Sequence, residues 1–418
     1  MPPAKRSQPQ ATKASAPQSA QPASRRSAFG CCIPFLSIFI VLFSLLLASP
    51  RLSSIQPLPV LSFVPLSSFS GKTIVITGGT SGVGLEAART LSRSGASLFV
   101  TARTEARAKA AADSLETPGA TGLELDLTNP SSIDKFTETI KRRVKKLDVL
   151  ILNAGMVYGP DFVGPYTALF PGGRVDAMIA ANHLGHFQLV QNLLDLILES
   201  NTRVVVVSSI SHYWGTVPSV SQQTMLVNPT EGVDGETLTL ASSVAAFPFL
   251  YGATKLLNVL MAERFDDLYG GGGVVGEEEG GKSVPRPSVV VCSPGFAATS
   301  IGQSTDRSGS SPLANFPLAR SASQGGDMLV YAASLKDARA AKGKMLQPYW
   351  ILEGVEKVLG TGRARAALYN FVQELMLQKL SAGNTAYAHR VSEEGRDKEL
   401  QIKTWEWSLG MVGKKKEL

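Results

Sequence analysis

Short, largely apolar runs recur along the chain from residue 72 onward. They read TIVIT, SLFVTA, GLELD, DVLILN, RVVVVS and SVVVCS, and the segments between them, such as LEAARTL and QLVQNLLDLILES, place apolar residues at helical intervals. Strands that are apolar on both faces and alternate with helices are typical of a parallel sheet covered by helices on both sides. The pattern therefore predicts an α/β fold, a Rossmann-type doubly wound parallel sheet in a single catalytic domain.

The first predicted strand leads directly into a glycine-rich turn, TGGTSGVG, at residues 77–84. A strand, a glycine turn and a helix together aim backbone N–H groups and a helix N-terminus at a pyrophosphate. No Gly-Lys-Ser/Thr follows, which argues against a nucleoside-triphosphate P-loop. The turn taken alone could also be purely structural. The residues that we expect at the cofactor are Gly78, Thr80, Ser81, Gly82, Val83 and Gly84.

The end of the second strand indicates which dinucleotide is bound. It ends at Ala102-Arg103, without the acidic residue that would bind a ribose 2′-hydroxyl. A guanidinium matches a phosphate with two parallel hydrogen bonds, so Arg103 favours NADP(H) over NAD(H). The alternative is that Arg103 is only an exposed charge at a strand end.

Candidate catalytic groups follow the fifth predicted strand. Tyr251 and Lys255 lie four residues apart in YGATK and therefore on one face of a helix. A neighbouring ammonium lowers the pKa of a phenol toward the working pH, as a general acid and base requires. The strand itself ends VVVVSSIS, at the edge where ligands bind in open α/β sheets. Because neighbouring side chains alternate along a strand, Ser209 is preferred to Ser208.

With Asn153-Ala154-Gly155 after the fourth strand and Asn182 in NHLGHF, residues 72 to about 350 resemble the short-chain dehydrogenase/reductase family. The NAG triplet, NHLGHF and VSSISH are most similar to its retinol-dehydrogenase-like branch. The resemblance implies that TGxxxGxG is the stretch from Thr77 to Gly84. It implies further cofactor contacts at Asp126, Leu127, Asn153, Ala154, Gly155, Pro294, Gly295 and Thr299, besides Tyr251 and Lys255.

The same resemblance implies a catalytic set of Asn182, Ser209, Tyr251 and Lys255. Lys255 would hold the nicotinamide ribose, and Ser209 would hydrogen-bond the substrate carbonyl. Tyr251 would give or take the proton as hydride moves. Asn182 would hold a water that relays protons to Lys255.

The N-terminal region predicts membrane attachment. Residues 1–28 are polar and basic and are expected to be disordered. Residues 33–49 carry no charge and as a helix would span about 26 Å, close to the ~30 Å hydrocarbon core. A second uncharged stretch, interrupted by prolines, follows directly, so residues 29–69 are predicted to anchor the protein, with 33–69 in contact with the membrane. The long polar leader argues against a cleaved signal peptide.

Two topologies remain open. Arg25 and Arg26 precede the apolar stretch, which places the N-terminus in the cytosol. A single span would then put the catalytic domain in a lumen, whereas a hairpin broken at the prolines would return it to the cytosol. The absence of a usable Asn-x-Ser/Thr site and the C-terminal KKEL favour the hairpin. We expect the membrane to be the endoplasmic reticulum or a lipid droplet.

Other classes are disfavoured. The net charge is +7, but many of the basic residues lie in the two tails. The sequence has no central basic stripe with interleaved aromatic residues, which argues against nucleic-acid binding. The three cysteines have neither disulfide nor zinc spacing. His183 and His186 could suggest a metal, but the pair lies inside a motif that is structural in the family, so no metal is predicted.

We therefore expect an NADP-binding catalytic domain at residues 70–350 and a helical C-terminal extension at 351–418, with a homodimer compatible with the sequence. The predicted function is a membrane-associated NADP(H)-dependent oxidoreductase that interconverts an alcohol and an aldehyde or ketone on a retinoid-, sterol- or fatty-aldehyde-like substrate. A 3-ketosteroid or sterol reductase and a non-catalytic NADP-binding scaffold remain as alternatives. The 42 positions between Ser209 and Tyr251 exceed the usual family spacing, which leaves the substrate open.

Overall fold

A computed structural model describes most of the chain from Val64 onward. The described residues are 64–115, 119–157, 167–213, 215, 217, 235–270, 286–297, 320–336, 338, 341–347 and 387–415. All of them belong to one compact unit, Pro57–Leu418. The predicted disordered tail and the apolar stretch at 33–49 lie outside these ranges. Within them, no helix is both long enough and apolar enough to cross a bilayer.

An eight-stranded sheet forms the centre of the fold. Its strand order is β10-β9-β8-β7-β4-β1-β2-β3, and every neighbouring pair is parallel except β10 with β9. A separate antiparallel hairpin consists of β5 and β6. The strands are β1 Thr73–Ile76, β2 Ser97–Ala102, β3 Ala120–Glu124, β4 Val149–Leu152, β5 Thr167–Phe170, β6 Gly173–Asp176, β7 Arg203–Val207, β8 Ser288–Cys292, β9 Lys344–Gln347 and β10 Tyr387–Arg390.

Helices cover both faces of the sheet, as predicted for the Rossmann-type fold. One apolar core lies between the sheet and α1, α2 and α8, and the other between the sheet and α3, α5, α6, α7 and α10. The helices are α1 Gly82–Ser92, α2 Glu105–Asp113, α3 Pro130–Arg143, α4 Ala177–Ile179, α5 Gly185–Asn192, α6 Leu194–Ser200, α7 Gly235–Tyr269, α8 Ala322–Ser334, α9 Glu393–Arg396 and α10 Lys398–Met411.

Local sequence explains why these elements form where they do. Strand β7, RVVVV, is buried at four of its five residues because it lies between two layers of helices. Helix α3 begins where the Asn129 side chain accepts hydrogen bonds from the backbone N–H groups of Ser131 and Ser132, at 3.1 and 3.4 Å. Pro130 supplies the first helical residue, whose N–H needs no partner.

The C-terminal region differs from the predicted helical extension. Its described part does contain helices α9 and α10, but it also supplies β10, which pairs with β9 at the edge of the sheet. Helix α10 packs on the core that α3, α5, α6 and α7 also line. There the Trp405 ring lies 4.9 Å from the Phe187 ring in a T-shaped arrangement. Strand β10 is the last strand at this end of the sheet. The catalytic domain therefore continues well beyond residue 350.

The start of the domain also lies earlier than predicted. Residues Leu66–Phe69, the last part of the predicted anchor, form a short 3₁₀ helix. The Phe69 side chain is buried in the core beside α1 and α8. These residues therefore pack on the domain, and the remainder of the predicted anchor up to residue 63 lies outside the described residues.

Candidate active site

The glycine turn joins β1 to α1 at the carboxyl edge of the sheet. Gly78 and Gly82 have φ of +64° and +52°, a region that favours glycine. A Cβ added at Gly84 would lie 2.4 Å from the Gly78 carbonyl oxygen, so the helix can approach the turn only with glycine there. Ser81 precedes the helix and its side chain does not cap it. The N–H groups of the first turn of α1 are therefore left to bind an anion such as a phosphate.

The strand end at β4 holds this turn in place. The Asn153 side-chain amide donates to the carbonyl oxygens of Thr77 and Gly78, at 2.9 and 3.2 Å. The backbone N–H groups of Asn153 and Ala154 both donate to the Thr77 hydroxyl, at 2.9 and 3.0 Å. The Thr77 hydroxyl therefore joins the NAG triplet to the turn, although the sequence alone indicates Thr77 only as part of the glycine motif.

The residues predicted for the adenosine half follow the next two strands. Arg103 is exposed directly after β2. Asp126 follows β3, and one of its carboxylate oxygens accepts hydrogen bonds from the N–H and the hydroxyl of Thr128, at 2.9 and 2.7 Å. Leu127 is buried, and a Cβ at Gly185 would lie 2.2 Å from its carbonyl oxygen. All three therefore lie past the carboxyl ends of β2 and β3, the two strands that follow β1 in the sheet order, where open α/β sheets bind ligands.

Tyr251 and Lys255 lie on α7, as the spacing predicted. The Lys255 side chain is 3 % exposed, its Nζ donates to the Val207 carbonyl oxygen at 3.2 Å, and it lies 5.3 Å from the centroid of the Tyr251 ring. Burial lowers the pKa of Lys255 from 10.5 to about 8, and the nearby Cys292 offsets part of that change. The ammonium is therefore mostly protonated at neutral pH and adjacent to the phenol.

The two serines after β7 have different surroundings. Ser208 is 1 % exposed, and its hydroxyl donates to the Lys255 carbonyl oxygen at 2.9 Å. Ser209 is only half-buried, and its hydroxyl donates to the Ser211 hydroxyl at 3.2 Å. Ser208 therefore anchors α7, whereas Ser209 lies nearer the surface. Its catalytic role stays a prediction.

Asn182 lies in a π-helical turn, Ala180–Leu184, a distortion that is frequent at functional sites. Its amide donates to the Met156 carbonyl oxygen and the Thr254 hydroxyl, at 2.9 and 3.1 Å, and its Oδ1 accepts from the Met156 N–H at 2.7 Å. A Cβ added at Gly155 would lie 3.4 Å from Asn182 Oδ1 and 3.6 Å from Lys255 Nζ. The two groups therefore face the same point, which is where a relay water is predicted.

The remaining predicted cofactor residues follow β8. Gly295 has a φ of +79°, and its N–H donates to the Ser293 hydroxyl at 3.2 Å, so Pro294-Gly295 forms a tight turn at the same edge of the sheet. Thr299 lies outside the described residues. Among the residues that the structure does describe, no three or more His, Cys, Asp or Glu side chains are grouped to hold a metal ion.

The sequence reasoning missed two buried histidine bridges to the C-terminal region. His183 Nε2 lies 2.9 Å from the hydroxyl of Ser408 on α10, and its Nδ1 lies 3.3 Å from Asn258 Oδ1 on α7. His212 Nδ1 donates to the Ser209 carbonyl oxygen at 2.7 Å, and its Nε2 accepts from the Ser392 N–H at 3.2 Å. Burial lowers the pKa of both rings to about 4, so they are neutral. The C-terminal region is thereby tied to α7 and to the backbone of Ser209.

Comparisons with known proteins identify the family. The sequence model of the short chain dehydrogenase family matches residues 72–221. The chain is 32 % identical over 250 residues to retinol dehydrogenase 12 of Mus musculus, covering 56 % of this chain and 72 % of that protein. It is 35 % identical over 154 residues to the WW domain-containing oxidoreductase of Drosophila melanogaster, covering 35 % of this chain but only 36 % of the relative.

A solved structure shares the fold. The crystal structure of an uncharacterised protein from Mycobacterium paratuberculosis matches with a TM-score of 0.54 and 23 % identity, over 87 % of this chain and 100 % of that one. The matched family, the extent of the likeness to retinol dehydrogenase 12 and the shared motifs lead to one assignment. The chain belongs to the short-chain dehydrogenase/reductase family, in its retinol-dehydrogenase-like branch.

Proposed function

We propose that this protein is a membrane-associated, NADP(H)-dependent oxidoreductase that interconverts an alcohol and an aldehyde or ketone on a lipophilic substrate. One observation carries the proposal. The Lys255 ammonium is buried against the Val207 carbonyl and next to the Tyr251 ring, at the same sheet edge as the glycine turn. A phenol beside a buried cation is suited to exchange a proton with an oxygen atom of a substrate.

In this proposal, bound NADP(H) supplies or accepts the hydride. In the reductive direction, the Ser209 hydroxyl hydrogen-bonds the substrate carbonyl oxygen, and Tyr251 donates its proton to that oxygen as the carbon receives hydride. The Lys255 ammonium stabilises the phenolate that remains, and a proton returns from solvent by way of the water expected beside Asn182. Oxidation of the alcohol runs through the same groups in reverse.

The choice of NADP(H) rests on the residues around the turn. The first turn of α1 is not capped by the Ser81 side chain, so its N–H groups suit a pyrophosphate. Arg103 is exposed just past β2, where it suits a 2′-phosphate. Asp126 and Leu127 lie past β3, on the side expected for the adenine. The same cradle would accept NAD(H), and Arg103 is what favours the phosphorylated form.

The lipophilic substrate and the membrane are supported by likeness and by sequence. Three similar proteins, from mouse, cattle and human, are retinol dehydrogenases 12 by name. The uncharged stretch at 33–49 suits an enzyme whose substrate partitions into lipid. We propose the endoplasmic reticulum or a lipid droplet as the membrane, with the catalytic domain in the cytosol, and a homodimer is compatible with this arrangement.

A single substitution tests the proton-transfer assignment. Full-length Tyr251→Phe should lose about a hundredfold or more in kcat with NADPH and a panel of retinoid, steroid and fatty aldehydes or ketones, because the phenol's proton is gone. NADPH binding should stay close to that of the wild type. Tyr331→Phe, a half-buried tyrosine on α8 away from the site, is the matched control and should retain activity.

Two results would contradict the proposal. Unchanged turnover by Tyr251→Phe would remove the acid/base assignment. A wild type that binds NADPH tightly but turns over no member of the panel would favour the cofactor-binding scaffold instead.

A further inference from the structure

We propose that His186 is a positioning residue that links the dinucleotide-binding turn to Asn182 through one neutral imidazole ring. The inference rests on the proposed function, because it concerns how the predicted cofactor turn and the predicted relay residue are held together. His186 is buried on α5, in the NHLGHF motif, and its ring lies between Thr77 and the backbone of Asn182.

The Thr77 hydroxyl is the first half of the link. It accepts hydrogen bonds from the N–H groups of Asn153 and Ala154, at 2.9 and 3.0 Å. A hydroxyl has two lone pairs and one hydrogen, so these bonds use its whole accepting capacity. His186 Nε2 lies 2.9 Å from the same oxygen, nearer than the Ile151 carbonyl oxygen at 3.3 Å. The hydroxyl hydrogen must therefore point to Nε2, since a third donor could not be accommodated.

This proton count determines the tautomer of His186. Nε2 accepts the Thr77 hydrogen, so the ring hydrogen is on Nδ1, which donates to the Asn182 carbonyl oxygen at 3.3 Å. Burial lowers the pKa of the ring to about 3, which is consistent with a neutral imidazole. A protonated ring would present a third donor to Thr77 and would break the arrangement.

The consequence is a continuous chain of contacts across the site. Thr77 is tied to the glycine turn by its own backbone and to Asn153 and Ala154 by its hydroxyl. The ring then reaches Asn182, whose Oδ1 faces Lys255 across Gly155. A shift of the turn that accompanies cofactor binding would be transmitted to the side of the site where a proton relay is predicted.

His183 offers a matched control three residues away. Both histidines are almost fully buried, both are neutral, and both use their two ring nitrogens in hydrogen bonds. His183 instead hydrogen-bonds Asn258 on α7 and Ser408 on α10, whereas His186 hydrogen-bonds Thr77. If both histidines contributed only to stability, substituting either one would therefore have a similar effect on NADPH binding.

The experiment compares full-length His186→Leu and His183→Leu by NADPH titration and by steady-state kinetics. His186→Leu should raise the NADPH dissociation constant roughly fivefold, the worth of about one hydrogen bond, and should lower kcat with little change in KM for the carbonyl substrate. His183→Leu should lower the melting temperature and leave the dissociation constant within about twofold of wild type. His186→Gln, which keeps a donor and an acceptor, should recover part of the affinity.

A double-mutant cycle with Thr77→Val tests whether the effect passes through the hydroxyl. If it does, His186→Leu added to Thr77→Val should weaken NADPH binding no further. Additive losses would overturn the inference, as would wild-type NADPH affinity and kcat in His186→Leu or, if that variant does not fold, in Thr77→Val. If the wild-type protein does not bind NADPH, both the proposed cofactor and this inference are wrong. If the wild type binds NADPH tightly and the His186 substitutions leave the affinity unchanged, only this inference is wrong.

Discussion

Acidification should destabilise this protein far more than its surface charges alone would suggest, because three histidines are buried and neutral. The pKa values of His183, His186 and His212 lie at about 4, 3 and 4, against 6.5 for an ordinary histidine. Between pH 6.5 and about 4 the unfolded chain binds a proton at each histidine and the folded chain does not. The contribution of the neutral histidines to the free energy of unfolding is therefore fully present above pH 6.5 and is lost as the pH falls from 6.5 to about 4.

The magnitude follows from linkage. Each pH unit within the window costs about 1.4 kcal/mol for each histidine, so lowering the pH from 7 to 5 costs about 2 kcal/mol at each ring. Three rings together cost about 6 kcal/mol, which is comparable with the whole unfolding free energy of an ordinary domain. The cost is large because, within the described part of the chain, the hydrogen-bond partners of the three rings are Asn, Ser and Thr side chains and backbone groups, with no carboxylate that would stabilise the charged form.

The assay is urea unfolding of the full-length protein in mild detergent at pH 7, 6 and 5, followed by circular dichroism. Carboxylates also titrate over part of this range, so the comparison is with His183→Gln, which removes one titrating ring. The variant should be less stable at pH 7 but should lose about 2 kcal/mol less than wild type on going to pH 5. Parallel pH dependences for the two proteins would refute the reasoning, since they would mean that His183 titrates equally in both states.

Other predictions concern the cofactor, the relay and the membrane. Arg103→Ala should weaken NADPH binding by about tenfold and leave NADH binding nearly unchanged, as measured by fluorescence titration, and equal losses would exclude recognition of a 2′-phosphate there. Gly155→Ala should fold normally, because its Cβ would make ordinary contacts of 3.4 and 3.6 Å with Asn182 and Lys255. It should lower kcat by displacing the relay water, and an unchanged kcat would place the relay elsewhere. Protease added to intact microsomes should digest the catalytic domain, whereas full protection would establish a lumenal domain.

Most of the sheet, and the positions of the candidate site residues along it, were predictable because their signals are local. Strands β1, β2, β4, β7 and β8 coincide with the apolar runs, since a strand between two helical layers has to be apolar on both faces. The edge strand β3 is only partly buried, and the predicted run GLELD overlaps it at residues 122–124. The preference for Ser209 over Ser208 came from strand alternation, and the structure places Ser208 against α7 and Ser209 near the surface.

Other elements escaped prediction because their stability comes from distant partners. Strand β10 is only four residues long and is defined by its pairing with β9, some 40 residues earlier in the chain. The hairpin of β5 and β6 likewise has too little alternation of apolar and polar residues to be predicted as a pair of strands. The C-terminal region therefore read as a helical extension, although the structure makes it part of the sheet domain.

The sequence by itself determined the parallel α/β fold, the glycine turn and the placing of Tyr251 and Lys255 on one helix face. Each depends on periodicity or backbone conformation within a few residues, which a sequence displays directly. Only the tertiary structure decided what the histidines do. His183 meets Ser408 across 225 positions, and His212 meets Ser392 across 180. Such hydrogen bonds exist only once separate segments have packed together, because burial both brings the partners into contact and holds the rings neutral.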